Sequence, residues 1–113
     1  MDIPLQPLRI PSGWLVAHND GLYEIDPSGK TIPKDIHDSY FREDMLQLWH
    51  DTRNRLIDVG WYPEGDLQHG QYGLVLYEGD ATGRQLYEFR TRDRLKLVAE
   101  IERLLVGVID ETL

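Results

Sequence analysis

Four histidines are the first residues to consider for chemistry, because imidazole is a common metal ligand. His18, His37, His50 and His69 match neither the helical nor the zinc-finger ligand spacing. Folding could still bring His50, with Asp51 beside it, close to the distant His69. The spacing itself favours four scattered surface histidines.

Asp58 is the carboxylate best placed for acid–base chemistry, since it stands among apolar neighbours in an alternating segment. If its side chain faces the core it needs a cationic partner, for which Arg55, Arg90 and Arg92 are candidates. The favoured interpretation is structural: a charge on the solvent face of a sheet, or a buried pair that fixes strand register. The serines lie in no nucleophile-elbow pattern and the glycines form no phosphate-binding loop. The sequence therefore predicts no catalytic residue, no metal and no cofactor.

Charge restricts the class of partner. The 113 residues include 12 Lys and Arg against 20 Asp and Glu, a net charge of -8, and the excess acid lies in residues 1–80. Such a field repels nucleic acid and anionic membranes and attracts basic surfaces. We therefore expect a basic protein as partner, with no nucleic acid and no membrane bound.

Cysteine is absent, which excludes disulfides, thiolate zinc sites and cysteine nucleophiles and fits a reducing compartment. Residues 1–9 lack the apolar run of a signal peptide. The longest apolar stretches, 74–77 and 104–106, are too short to cross a bilayer. We expect a soluble, cytoplasmic protein.

Aromatic and acidic side chains near two predicted turns indicate a protein-binding surface, because aromatic anchors beside carboxylates are common in interfaces that attract basic partners. The alternative is that the aromatic residues belong to the core and the acids only aid solubility. Turns at opposite ends of a strand need not meet, so the residues form either one patch or two. The predicted partner-binding residues are Asp58, Trp61, Tyr62, Glu64, Asp66, Glu78 and Asp80.

The N-terminal half predicts an arm and a hairpin. Prolines make residues 1–12 an extended arm. Residues 14–18 and 22–25 flank an Asp-Gly pair that supplies the positive φ of a tight turn, which predicts a β-hairpin. Residues 39–51 fit a helix almost as well as a strand, and the turn-like residues after position 50 favour a strand over 44–50.

The C-terminal half predicts a three-strand meander over 55–62, 72–78 and 86–90, followed by a helix over 92–109 with Thr91 as its N-cap. Apolar residues of that helix recur at intervals of three and four, so one face should pack on the sheet. The fold class is α+β: an antiparallel sheet of five to six strands packed against a C-terminal helix. The strands fill most of residues 14–90 of a single domain, 1–113.

Residues 56–66, 70–77 and 87–92 resemble small bacterial immunity proteins of polymorphic toxin and contact-dependent inhibition systems. The similarity covers about the C-terminal half and is one of overall character: an acidic domain, an antiparallel meander and a closing helix. The resemblance implies a cognate inhibitor that binds a toxin domain, often a basic nuclease, and blocks it. It carries no individual binding residue to this chain.

These observations predict a non-enzymatic binding protein that attracts a basic toxin domain and occludes it. Two alternatives stay open. A small metal-dependent hydrolase would use Asp58 with a histidine, and a structural or assembly subunit would show a strongly apolar sheet face. The sequence leaves open whether the protein is a monomer or a homodimer.

Charge reversal at Glu64, Asp66, Glu78 and Asp80 is expected to slow association with a basic partner at low salt, because it removes electrostatic attraction during the encounter. Association rates measured at two ionic strengths check this. An unchanged rate at low salt would remove these residues from the interface.

Overall fold

The structure is a computed structural model that describes residues 3–19, 21–27 and 40–113. Its strands form one antiparallel sheet in which each pairs with its neighbours in the chain. The strands are β1 (Leu15–Asn19), β2 (Leu46–His50), β3 (Arg55–Tyr62), β4 (Gln71–Glu78) and β5 (Arg84–Thr91). One helix, α1 (Arg94–Ile109), follows. This confirms the predicted α+β class.

The predicted meander is confirmed with small shifts of its boundaries. β3 and β4 are in register from Arg55 opposite Glu78 to Tyr62 opposite Gln71. The ambiguous segment contains the strand β2, in which Leu46 and Leu48 enter the core while Gln47 and Trp49 do not. Alternation with period two thus decided between strand and helix where helical spacing fitted almost as well.

The predicted N-terminal hairpin is wrong. β1 pairs with β2, with Leu15 opposite Trp49, and does not pair with residues 22–25. The latter segment pairs instead with the proline-rich arm: Tyr23 forms a bridge with Leu5, and the Glu24 amide donates to the Pro4 carbonyl. The arm reaches this segment because a proline carbonyl still accepts hydrogen bonds. Asp20, in the expected turn, lies outside the described residues.

The core lies between one face of the sheet and α1. The helix buries Leu97, Ile101, Leu104, Leu105 and Val108, which follow the predicted stripe. Opposite them, Phe41, Trp61 and Tyr72 form edge-to-face and tilted ring contacts with centroids 4.9 to 6.4 Å apart. Such pairs add to the free energy gained from burying their area.

Side chains from outside the helix fix its ends. Asp93, not Thr91, is the N-cap: its carboxylate accepts from the Leu95 and Lys96 amides at 2.9 and 3.1 Å. The Thr91 hydroxyl accepts from the Asp93 amide, so the helix begins two residues later than the N-cap prediction placed it. At the other end, the Arg53 guanidinium donates to the Val108 carbonyl at 3.2 Å.

A bulge before β2 brings backbone over β3. Met45 and Arg42 both bond to β3, through Met45 N to Val59 O and Trp61 N to Arg42 O. The intervening residues Glu43 and Asp44 are looped out, and a Cβ at Gly60 would lie 2.0 Å from the Glu43 carbonyl oxygen. The bulge therefore requires glycine at position 60.

Gly60→Ala should lower the free energy of unfolding by about 2–3 kcal/mol, because the added methyl collides with backbone that cannot rotate away. Gly73→Ala is the matched control: its Cβ would meet only ring carbons of the Tyr62 side chain, at 3.2 and 3.3 Å. It should change the free energy by less than about 1 kcal/mol. Urea denaturation measures both, and equal losses would contradict this account of the bulge.

Candidate functional site

The face of the sheet opposite α1 is not covered by any described helix or strand. We call it the open face. Side chains alternate along each strand, so the residues between the core positions gather here. The open face consists of Gln47, Trp49, Leu56, Asp58, Tyr62, Gly73, Val75, Tyr77, Gln85, Glu88 and Arg90.

Asp58 lies near the middle of the open face and is half-buried. Its Oδ1 accepts a hydrogen bond from the side-chain amide of Gln47 at 3.3 Å. Burial raises the pKa of its carboxyl; the Gln47 bond opposes this shift, the Asp44 charge adds to it and His18 opposes it. For this carboxyl the cost of desolvation outweighs the interactions that favour its charged form.

None of the three arginines predicted to pair with Asp58 does so. Arg55 donates to two backbone carbonyls and lies 3.8 Å from Glu78. Arg90 pairs with Glu88 at 2.6 Å, and Arg92 donates to the carbonyls of the β3–β4 loop. These arginines were candidates only for an Asp58 that faces the core, and Asp58 lies on the open face.

Tyr62 forms one wall of a pocket beside Asp58. Its ring lies across Gly73, and its hydroxyl donates to the Glu43 carbonyl at 3.3 Å. Burial raises the pKa of the phenol to about 12, and the charges of Asp58, Glu43 and Asp44 add to the shift. The side chain is still 36% exposed. Tyr62 thus lies at the surface, as predicted, and in a negative field.

The cavity next to Tyr62 has a volume of about 140 Å³. Gly73 and Val75 form its floor, and Tyr77 stands opposite Tyr62. We call this cavity the tyrosine pocket. A wider hollow of about 390 Å³, lined by Trp49 and Leu56 among others, lies on the same face towards β1.

Trp61 cannot serve as the predicted surface anchor, because its side chain is 0% exposed. It belongs to the core face with Ile57 and Val59, and its indole nitrogen donates to the Asp66 carbonyl at 3.0 Å. The alternation that placed Trp61 beside those two residues already carried this information. The alternative interpretation, a core aromatic, is the correct one for Trp61.

The four predicted loop carboxylates lie at two ends of the sheet. Glu64 and Asp66 are in the β3–β4 loop, and Glu78 and Asp80 are at the β4–β5 turn. The eight residues of β4 separate the two ends. Their seven steps of about 3.4 Å each give a distance of about 24 Å. They therefore form two patches, which the sequence left open.

Three of these carboxylates are engaged within the protein. Asp66 accepts from the His69 amide at 3.0 Å, and this bond above all lowers the pKa of its carboxyl. Asp80 accepts from the Thr82 hydroxyl and amide, which lowers its pKa. Glu78 lies 3.8 Å from both Arg55 and Arg84. These contacts favour turn chemistry over partner binding for the three residues.

Glu43 and Asp44 belong to the site although the sequence analysis missed them. They are exposed, and both influence Tyr62 electrostatically. Glu64 accepts from the Glu43 amide at 3.2 Å, so the loop and the bulge meet. Glu43, Asp44 and Asp58 act on Tyr62 and Glu64 contacts Glu43; we call these four carboxylates the acidic end. Only the bulge brings the first two there, and no local motif predicted it.

His50 and His69 do not converge, and His18 lies opposite Gln47, which in turn lies opposite Asp58. His50 is on the core face, opposite to Asp58, with its ring against Trp14. His69 lies 3.2 Å from Asp66 in the β3–β4 loop, and His37 lies outside the described residues. In the described part of the chain, no group of three or more His, Cys, Asp or Glu residues has the geometry of a metal site.

Comparison of the chain with protein-family models, with curated proteins and with solved structures found no match. Function therefore has to be argued from the open face. Within the described ranges, no helix combines the length and the apolar character needed to span a bilayer.

Asp58→Asn should raise the stability of the protein at pH 7. The native carboxyl has a raised pKa, so the native state binds its proton more tightly than the unfolded chain does. Stability from this group is complete below pH 3.8 and is lost as the pH rises through the native pKa. Asparagine stays neutral and keeps the acceptor for Gln47, so the gain should vanish below the usual pKa of Asp.

Urea denaturation at pH 3.5 and at pH 7 measures this difference. Asp80→Asn is the control, because the pKa of Asp80 is lowered and its ionised form is the stabilised one. Asp80→Asn should bring no gain at pH 7. A loss of stability on Asp58→Asn at pH 7 would show that the Asp58 carboxylate has a compensating partner.

Proposed function

We propose that this protein is a non-enzymatic, cytoplasmic binding protein of the immunity type, which neutralises a basic toxin domain by binding it through the open face. The observation that carries the proposal is an aromatic pocket beside carboxylates that form no ion pair with any described residue. The immunity role itself comes from the sequence resemblance. The open face supports the proposal that the chain binds a partner there.

Electrostatics supports a basic partner. Within the described residues, none of the four carboxylates of the acidic end lies within 4.0 Å of a Lys, Arg or His nitrogen. Like charges held together raise the free energy of the unbound protein, and a cationic surface relieves that repulsion. The same field accelerates the encounter and weakens with salt.

The rest of the open face supplies apolar contact area. Trp49, Leu56, Val75 and Tyr77 are buried or half-buried in the free protein, and they line the two hollows of this face. Interfaces commonly combine such an apolar centre with a charged rim. A toxin that docks here would have its cationic surface covered, so inhibition by occlusion requires no chemistry from this chain.

The geometry gives little support to a hydrolase. Asp58 and His50 lie on opposite faces of the sheet, and His69 pairs with Asp66. His18 acts on Asp58 electrostatically, but within the described residues the two belong to no cluster of three or more metal-ligating side chains. An assembly subunit is the second candidate, and one observation favours it. Among the described strands β1 is at the edge of the sheet, and it exposes the apolar residues Leu15 and Val16 by 62% and 46%.

Co-expression tests the proposal. The reading frame adjacent to the gene should encode a protein that stops bacterial growth, and this chain should restore growth. The variant Glu43→Lys, Asp44→Lys, Glu64→Lys should slow association with that protein by about tenfold at low salt. Association is measured by stopped-flow fluorescence, and circular dichroism checks the fold.

The matched control is Asp51→Lys, Asp110→Lys, Glu111→Lys, which makes the same change in net charge at exposed positions outside the open face. It should retain an association rate within about threefold of the wild type. If both variants slow association equally, net charge and not the acidic end attracts the partner. If the adjacent product is harmless, the immunity role is wrong.

A further inference from the structure

The tyrosine pocket has the shape and charge of a site for one cationic side chain. It lies in a row across the sheet in which Asp58, Val75 and Glu88 are paired in register. Neighbouring strands are about 4.8 Å apart, so the two carboxylate residues face each other across Val75 at about 10 Å between their Cα atoms. Tyr62 and Tyr77 close the other two sides.

Only one of the two carboxylates is neutralised within the described residues. Glu88 accepts from the Arg90 guanidinium at 2.6 Å. Asp58 has no such ion pair: one oxygen accepts from the Gln47 amide, and Oδ2 accepts no hydrogen bond from a described residue. A carboxylate has about four lone-pair sites, so Asp58 retains most of its capacity as an acceptor.

The two tyrosines make the pocket suitable for a delocalised cation. Their phenols are near enough for Tyr77 to affect the pKa of Tyr62. The ring of Tyr62 lies against Gly73. Because glycine has no side chain, nothing projects from this position into the pocket. Aromatic faces attract cations, and a planar guanidinium both stacks on a ring and pairs with a carboxylate through two parallel hydrogen bonds.

The volume sets the size of the occupant. A cavity of about 140 Å³ holds roughly four to five waters at about 30 Å³ each. A guanidinium, with one carbon and three nitrogens, fits within such a space, with room for the last methylene groups of its side chain.

We propose that the tyrosine pocket receives an arginine side chain of the basic partner, with its guanidinium paired to Asp58 and stacked on the rings of Tyr62 and Tyr77. This inference rests on the proposed function and makes it specific. The partner should present one arginine at the centre of the interface, where such residues contribute most to binding. The acidic end then acts on the approach of the partner, and the pocket acts on its retention.

The test uses a small probe, so that it does not require the partner. N-acetyl-arginine-N-methylamide is titrated into the ¹⁵N-labelled protein, and amide shifts are followed. Binding in the millimolar range should shift the amides of Gly73 and Val75. The neutral citrulline analogue, which has nearly the same shape, should bind at least tenfold more weakly, and so should the lysine analogue, whose ammonium neither stacks nor pairs through two bonds.

Asp58→Asn should weaken arginine binding about tenfold, as expected for losing a charge-assisted hydrogen bond. Tyr77→Leu should weaken it several-fold. Asp80→Asn is the control and should bind as the wild type does. The stability of each variant is measured in parallel, so that a loss of binding is distinguished from a loss of fold.

Three results would overturn the inference: no shift at Gly73 and Val75, equal binding of the arginine and lysine or citrulline analogues, or binding that is unchanged in Asp58→Asn. If the adjacent gene product still binds and is neutralised in that case, the proposed function stands and only the arginine pocket is wrong. If arginine binds as expected and the gene product does not, the pocket stands and the immunity role is wrong.

Discussion

The structure depends on one constraint: α1 packs against one face of the sheet, and no described helix or strand covers the other. Every strand that packs against α1 must present apolar residues to the helix at alternate positions. The residues between them therefore face away from the helix. Ile57 and Val59 enter the core, and Asp58 between them is forced onto the open face. The position of Asp58 is thus a consequence of packing on the other side of its own strand.

The backbone bulge before β2 is the second feature that shapes the open face, in addition to strand alternation. The bulge at Glu43 and Asp44 adds two carboxylates that alternation alone would not bring near Tyr62. Glycine at position 60 admits the bulged backbone, and glycine at position 73 leaves room for the Tyr62 ring. Both glycines lie directly opposite each other in β3 and β4, so one cross-strand pair makes room for the bulge and for the ring.

Much of the fold could be predicted from the sequence, because its signals are local. The alternation over 55–62 predicts a strand with one buried face, and the spacing of three and four after Asp93 predicts a helix with one buried face. The pairing of β1 with β2 could not be predicted in the same way. An Asp-Gly pair signals a turn locally, but it does not show that the buried Leu22 and its neighbours pair with the arm around Leu5.

The same distinction between local and non-local signals applies to the residues of the candidate site. Trp61 and Tyr62 were both predicted as surface anchors because they flank an acidic loop; Tyr62 is exposed, whereas strand alternation places Trp61 in the core. Arg55 and Arg92 were candidate partners of Asp58 only if it faced the core, and in the structure they donate to backbone carbonyls, which no sequence pattern displays. Glu43 joins the site only through an irregularity in the backbone.

The measurement that tests the central claim most directly is covalent side-chain footprinting of the protein, free and in complex with the product of the adjacent reading frame. If the open face is the interface, labelling of Tyr62, Tyr77 and Trp49 should fall sharply in the complex, while Leu95 and Val106 on the exposed side of α1 keep their labelling. Protection of the helix with unchanged labelling of Tyr62 and Tyr77 would contradict the account.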